Sequence, residues 1–307
     1  MIRRYPIAYL AAAIAFTSPL TARAQETSLK PDSSGYVAAN GVNYWFEIHG
    51  KGEPLVLLHG GLTWTQAFGP MLAELAKHRR VIGIDLQGHG HTTLGDRNKV
   101  DPVDIGRDLA TVVQKLGYSQ VDAMGYSFGG MVALQFAIQN PTIVRRLVVV
   151  SAPYSRTGWY AEMLPQQAAV GAAMADQMKD TPMYKGYAAI APRPQDFPKL
   201  LDAMGVLMRT DYDWSAQIKQ LQMPVMLVYG DADMVRPEHM VEFYHLLGGG
   251  LRDAGWQRET MSKNRLAIIP NQTHYDMCLA PLLVPAVLPF LDGNQKAESW
   301  AEQVAKQ

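Results

Sequence analysis

The sequence predicts an α/β fold, a mostly parallel sheet flanked by helices with a helical cap inserted after the sixth strand. Three observations carry this. Short apolar runs recur along the chain at Leu55 to Leu58, Val81 to Leu86, Val121 to Met124, Leu147 to Val150, Val225 to Tyr229 and Leu266 to Ile269; near-continuous hydrophobicity is the mark of strands covered on both faces. Most of these runs are separated by helical patterns, which implies right-handed parallel crossovers. Between Ala152-Pro153 and Met223-Pro224 the rhythm breaks into some seventy residues rich in Ala and Met, with no convincing strand and with prolines at 165, 182, 192, 194 and 198.

The elements follow in order. Tyr36 to Ala39 and Val42 to Ile48 alternate in polarity around Asn40-Gly41, a pair suited to the positive φ angles of a tight hairpin, so an antiparallel edge opens the sheet. Helices are expected at Thr65 to Lys77, Val103 to Leu116, Gly130 to Gln139, Pro237 to Leu247 and Pro281 to Leu291. Residues 154–222 form the cap, with helices near Trp159 to Met178, Thr181 to Ile190, Asp196 to Met208 and Trp214 to Leu221. An insertion that leaves one strand and returns before the next lies over the carboxyl edge of the sheet, where α/β proteins bind ligands. The cap is therefore expected to roof the pocket. Its methionines, Met163, Met174, Met178, Met183, Met204 and Met208, offer deformable apolar surface, and each is read first as core packing. Gly248 to Asn264 reads as an ordered surface loop.

The first residues have the pattern of an export signal: Arg3 and Arg4, an apolar run from Ile7 to Phe16, and Ala22-Arg23-Ala24 before Gln25. Ten apolar residues fall short of the ~20 that span a bilayer, so residues 1–24 are expected to be cleaved and the product to be periplasmic or secreted. Removing them takes away three arginines and leaves a formal charge of −3. With no basic stripe and no second long apolar segment, nothing suggests nucleic acid or a membrane span in the mature chain. Cys278 is the only cysteine, which excludes an intramolecular disulfide, and it reads as a small buried residue. The mature length suits one large core, residues 25–153 and 223–292, carrying the cap, with a polar tail at 293–307.

Chemistry is concentrated at strand ends. Gly125-Tyr126-Ser127-Phe128-Gly129 matches G-x-S-x-G between an apolar strand and a helix. A serine at the apex of so sharp a turn has a strained backbone, and side chains two residues before and after it would collide. Gly125, Gly129 and Gly130 remove them, which makes Ser127 the nucleophile candidate. A serine hydroxyl needs a base, and the base needs an acid to hold its tautomer. His274 follows the last apolar strand on the loop Pro270 to Thr273 and is the candidate base. After Val225 to Val228 come Asp231 and Asp233, which compete for the acid. His59-Gly60-Gly61-Leu62 follows Leu55 to Leu58 and offers the amide of Gly61, or else Leu62, as an oxyanion donor beside that of Phe128. His59 is read as a brace for that loop, and Gln87-Gly88-His89-Gly90-His91 as a turn in place of a metal site. His239 and His245, on a helix, are read as surface or interface residues.

With these residues in view the chain resembles the α/β-hydrolase superfamily, and within it the capped group of esterases, enol-lactonases and haloperoxidase-like perhydrolases. The resemblance covers residues 36 to 292 through His59-Gly60-Gly61, Asp85-Leu86-Gln87-Gly88-His89-Gly90, Ser127, Gly230 to Asp233 and His274. It implies the order Ser127, Asp233, His274 and selects Asp233, with Asp231 ordering the turn. Relatives that place aspartate at the elbow do not fit Ser127, and Gly61-Leu62-Thr63 lacks the proline usual in perhydrolases. The implied activity is hydrolysis of a carboxylic ester of a small or medium, partly apolar substrate through an acyl-enzyme, with no metal or organic cofactor. The same triad would serve a lactonase or a carbon–carbon bond hydrolase. A lyase or cofactor-free oxygenase using His274 as base, and a non-catalytic binding protein, are the readings from other classes.

Overall fold

The computed structural model describes residues 29–293 and 298–306. The expected signal, residues 1–24, and part of the tail, residues 294–297 and 307, lie outside them. Eight strands, β1 (Ser33–Ala39), β2 (Val42–His49), β3 (Pro54–Leu58), β4 (Arg80–Ile84), β5 (Val121–Tyr126), β6 (Val144–Val150), β7 (Val225–Ala232) and β8 (Arg265–Thr273), form one sheet. Their order is β1-β2-β4-β3-β5-β6-β7-β8. β2 runs antiparallel to both its neighbours, and every pair from β4 to β8 is parallel. Asn40 and Gly41 take φ of 47° and 84° and join β1 to β2 with Ala39 facing Val42, as a two-residue hairpin with two positive φ angles requires.

The apolar runs are continuous because both faces are covered. Successive side chains point to opposite faces of a strand: Val56 and Leu58 pack with Leu109, Val132 and Phe136, whereas Leu55 and Leu57 pack with Leu72, Val284 and Phe290. The helices Pro102–Lys115 and Phe128–Gln139 thus cover one face, and Pro70–His78 and Leu283–Leu291 the other. Asp101 starts the first of these by accepting the Val103 amide at 2.9 Å, with Pro102 at the first helical position. Among the described residues no helix is long and apolar enough to cross a membrane.

Two expected helices are broken, each at glycine or proline. Thr65 to Lys77 is a 3₁₀ turn, Thr65–Phe68, then Gly69 at φ 50° and a fresh start at Pro70, because proline has no amide to continue the first helix. Trp159 to Met178, which follows the 3₁₀ turn Arg156–Gly158, is a run of short turns, Ala161–Met163, Leu164–Ala168, Ala172–Met174 and Ala175–Met178, restarting at Pro165 and interrupted by extended Gly171. Trp214 to Leu221 shrinks to Ser215–Ile218. The longer helices are Pro182–Ile190, capped by the Thr181 side chain, and Phe197–Arg209.

This helical segment meets the loops that follow the strands. Leu200 and Met204 are buried against Gly88 and Gly61, Gly186 lies on the Trp64 ring, and Trp159 stands edge-on to His274 with ring centres 5.7 Å apart. The loop after Leu247 is tied down by Asn264, which accepts the Val225 amide at 2.8 Å and donates to the Leu247 carbonyl at 2.6 Å. Its Trp256 packs edge-on against Trp300 of the short helix Trp300–Val304.

His239 corrects the sequence reading. It is fully buried, its ring stacked on Tyr154 at 4.0 Å, and its Nε2 accepts the Tyr154 amide at 3.2 Å. Helix Pro237–Leu246 is only partly amphipathic, and the face that carries His239 is covered by the chain entering the helical segment, including Gly158. His245 is exposed. Cys278, expected to be buried, is half-buried, and desolvation raises its thiol to about 11.

Candidate active site

Ser127 stands between β5 and helix Phe128–Gln139 with φ 53° and ψ −118°, a left-handed backbone strained for any residue but glycine. It holds this conformation because its neighbours leave no alternative. Its amide donates to the Val150 carbonyl at 2.8 Å and its carbonyl accepts from the Met131 amide at 3.1 Å. A methyl group on Gly125 would run into the Gly129 carbonyl, one on Gly129 into the carbonyls of Leu58 and His59, and one on Gly130 would lie 2.7 Å from Ala152 Cβ. The glycines therefore let strand and helix close on the serine, whose side chain projects half-buried at the carboxyl edge.

There it meets the other two candidates. Ser127 Oγ lies 2.9 Å from His274 Nε2, and His274 Nδ1 lies 2.9 Å from Asp233 Oδ1. With Nδ1–H donating to the ionised carboxylate, Nε2 is left bare to accept from the serine hydroxyl. Burial by itself raises the Asp233 carboxyl, but bonds from His274, the Ser151 hydroxyl and the Val235 amide outweigh it and hold the group below its ordinary value. Asp231 is exposed and takes the Gln272 amide at 3.2 Å, so it orders the crossing of β7 and β8. The expected loop Pro270 to Thr273 is the end of β8, with Asn271 at φ 59° and a register shift opposite Gly230.

The loop after β3 faces the start of helix Phe128–Gln139. Gly61 approaches closely enough that a methyl group on it would sit 3.9 Å from Phe128 Cβ and 3.1 Å from Met204 Cε, and Leu62 turns the chain with φ 59°. Phe128 is the first helical residue, so its amide has no partner within the helix. His59 is fully buried and spans the loop: Nδ1 donates to the Gly60 carbonyl at 2.8 Å and Nε2 accepts the Leu86 amide at 2.9 Å. Desolvation lowers its pKa, so the ring is a neutral brace. Asp85, at the end of β4, accepts the amides of Thr65 and His91 and pairs with His91 Nδ1 at 2.8 Å. His89 turns the other way, its Nδ1 on the Gln87 carbonyl and its ring stacked on Phe128. Neighbours in sequence, these two histidines serve separate partners.

Four residues around this arrangement were not assigned to it from the sequence, Met204 having been read only as one of the deformable cap methionines. Ser151, just past β6, donates to Asp233 Oδ2; Tyr126 donates its phenol to the His274 carbonyl; Trp159 and Met204 come from the helical segment. Ser151 carried a usable signal, since a polar residue ending an apolar strand at the carboxyl edge is placed as Asp233 and His274 are. Met204 carried the general signal of a cap methionine but none for its place above Gly61, and Trp159 carried none, because nothing local sets how an irregular segment folds back.

A family model described as alpha/beta hydrolase fold matches residues 53–182. In sequence the chain is 32% identical over 131 residues to (E)-2-((N-methylformamido)methylene)succinate hydrolase of Acinetobacter baylyi, 42% of this chain and 48% of that protein. It is also 27% identical over 247 residues to serine hydrolase BPHL of mouse, 71% of this chain and 77% of that protein. The chain thus spans about half the length of the first of these relatives. Among solved structures, carboxylesterase CesB of Bacillus subtilis superposes with a TM-score of 0.66 at 19% identity, over 89% of this chain and 95% of that one. The enol-lactonase of Burkholderia xenovorans LB400 does so with a TM-score of 0.62 at 17% identity, over 84% and 100%. Strand order, the strained turn at Ser127, the family match and these superpositions agree: the chain has the α/β-hydrolase fold, and the similar proteins named here are hydrolases.

Proposed function

We propose that this protein is a serine hydrolase that cleaves a carboxylic ester of a small or medium, partly apolar substrate through an acyl-enzyme. The observation that carries the reading is the unbroken chain Ser127 Oγ, His274 and Asp233, with both links at 2.9 Å. His274 Nε2 takes the proton of Ser127 as Oγ attacks the ester carbonyl, and Asp233 stabilises the imidazolium that forms. The amides of Gly61 and Phe128 hold the oxyanion, where one such donor is worth ~3 kcal/mol. Imidazolium then protonates the leaving alcohol, and water, activated by the same ring, releases the acid. Met204 and Trp159 support an apolar acyl site beneath the helical segment, and no metal or organic cofactor enters.

A lactone or a carbon–carbon bond next to a carbonyl calls on the same residues, and the names of similar proteins include an enol-lactonase and 2-hydroxy-6-oxo-2,4-heptadienoate hydrolase. The leader at residues 1–24 supports export to the periplasm or beyond; N-terminal sequencing of the product from a secreting host should begin at Gln25.

The decisive assay is hydrolysis of short p-nitrophenyl esters by wild type and Ser127→Ala, with labelling by a fluorophosphonate probe. Wild type should turn over and label, and the variant should do neither. Equal hydrolysis by both excludes the mechanism.

A further inference from the structure

Ser151 follows β6 at the point where the chain leaves the sheet for the helical segment, and its amide donates to the Val228 carbonyl of β7 at 2.9 Å. Its φ is 52°, one of six left-handed non-glycine residues among those described. Glycine would hold this backbone without penalty, so a serine here is strained, and strain of this kind gathers at functional sites. The strain has a beneficiary. The side chain is fully buried, and its hydroxyl donates to Asp233 Oδ2 at 2.5 Å while Oδ1 receives His274 Nδ1 at 2.9 Å. The remaining contacts of that carboxylate are weaker backbone bonds, from Val235 at 3.2 Å and Gly230 at 3.4 Å.

We propose that Ser151 is a positioning residue of the catalytic machinery: its hydroxyl fixes the rotation of the Asp233 carboxylate so that Oδ1 stays on His274, and it takes up part of the carboxylate charge. The inference rests on the Ser127–His274–Asp233 reading. A bond to a charged group of this kind translates into a roughly 10- to 100-fold effect on rate. The titratable groups facing Asp233 are His274, Tyr229 of β7 and Tyr126 of β5. Burial raises both phenols, so they are neutral in the working range. Without the hydroxyl, more negative charge faces the imidazole, and the acid limb of the pH–rate profile should move to higher pH.

Ser151→Gly separates the hydroxyl from the backbone, because glycine accepts φ 52° and relieves the strain. Short-ester hydrolysis is measured for wild type, Ser151→Gly and Ser127→Ala, with melting temperatures and pH profiles of the first two. The proposal expects kcat to fall about 10- to 100-fold in Ser151→Gly, with the acid limb raised and the melting temperature equal or higher. Wild-type kcat and profile in Ser151→Gly, or a loss of activity that merely tracks a lower melting temperature, overturns it. Ser151→Gly combined with Asp233→Asn adds a second arm: the two losses should overlap, and full additivity counts against the proposal. Undiminished activity in Ser127→Ala is the distinct signature of failure of the underlying reading.

Discussion

At the residue scale the acid is the sharpest case. Asp231 and Asp233 lie two positions apart on one strand end, yet only Asp233 is buried against His274, and Asp231 points to solvent. Residues two apart on an extended strand face the same way, so the strand pattern could not choose between them; the register shift between Gly230 and Ala232 and the end of β7 at Ala232 let them differ. Asp233→Asn should lower kcat by roughly 10⁴-fold, as loss of the correct histidine tautomer does elsewhere. Asp231→Asn should leave kcat within about threefold, since it touches only the Gln272 amide. Steady-state kinetics on a p-nitrophenyl ester decides, and a reversed ranking would transfer the role to Asp231. Ser127, His274, Gly61 and Phe128 could be picked out as candidates because each follows the carboxyl end of an apolar run. Ser151 stood there too and went unread, since serine alone does not announce a partner.

At the scale of the elements, the turn around Ser127 is a packing problem solved by missing side chains. Gly129→Ala would press a methyl into the carbonyls of Leu58 and His59, both in the chain that leads to the loop after β3. Gly117 offers the contrast: φ is 87° but nothing lies within 4 Å of its added methyl. Gly117→Ala should cost about 1–2 kcal/mol of stability from backbone strain alone, whereas Gly129→Ala should cost clearly more or fail to fold. Urea unfolding of the pair tests this, and equal costs would show that crowding at the turn is unimportant. The helical segment gives a second test. Met204 is buried above Gly61, so Met204→Ala should destabilise by about 2–5 kcal/mol and shift the acyl-length optimum of ester hydrolysis upward. An unchanged optimum would remove Met204 from the acyl site.

For the whole molecule, buried neutral histidines tie stability to pH. Desolvation pushes His89 down to about 3 and His239 to about 4, and it lowers His59 as well. The unfolded chain, with histidines near ~6.5, binds protons that the native chain refuses, so the contribution of these rings is full above ~6.5 and is lost as pH falls toward 4. Each ring can remove about 1.4 kcal/mol per pH unit over that window. Asp233 acts later: held below its ordinary value, it stabilises the native state above the carboxylate range, and that stability drains as pH falls through it. Chemical denaturation between pH 7 and 4.5 should show a steadily falling midpoint, with a shallower slope in His239→Gln. A midpoint that rises on acidification would contradict the buried neutral state.

By itself the sequence determined the elements whose cause is local: the Asn40-Gly41 hairpin, the doubly covered strands, the glycine-relieved turn at Ser127, and the placing of Ser127, His274 and the Asp231–Asp233 pair at strand ends. A parallel α/β sheet sends all those ends to one edge, so position along the chain already implied proximity. Tertiary structure alone decided how residues 154–222 break into turns, that His239 is covered, and that Ser151 completes the carboxylate's partners; the choice of Asp233 over Asp231 came from the family resemblance, and the structure sets Asp233 against His274. These depend on surfaces brought together by chain separated by tens of residues, and neither periodicity nor spacing carries a record of which surface will lie across from which.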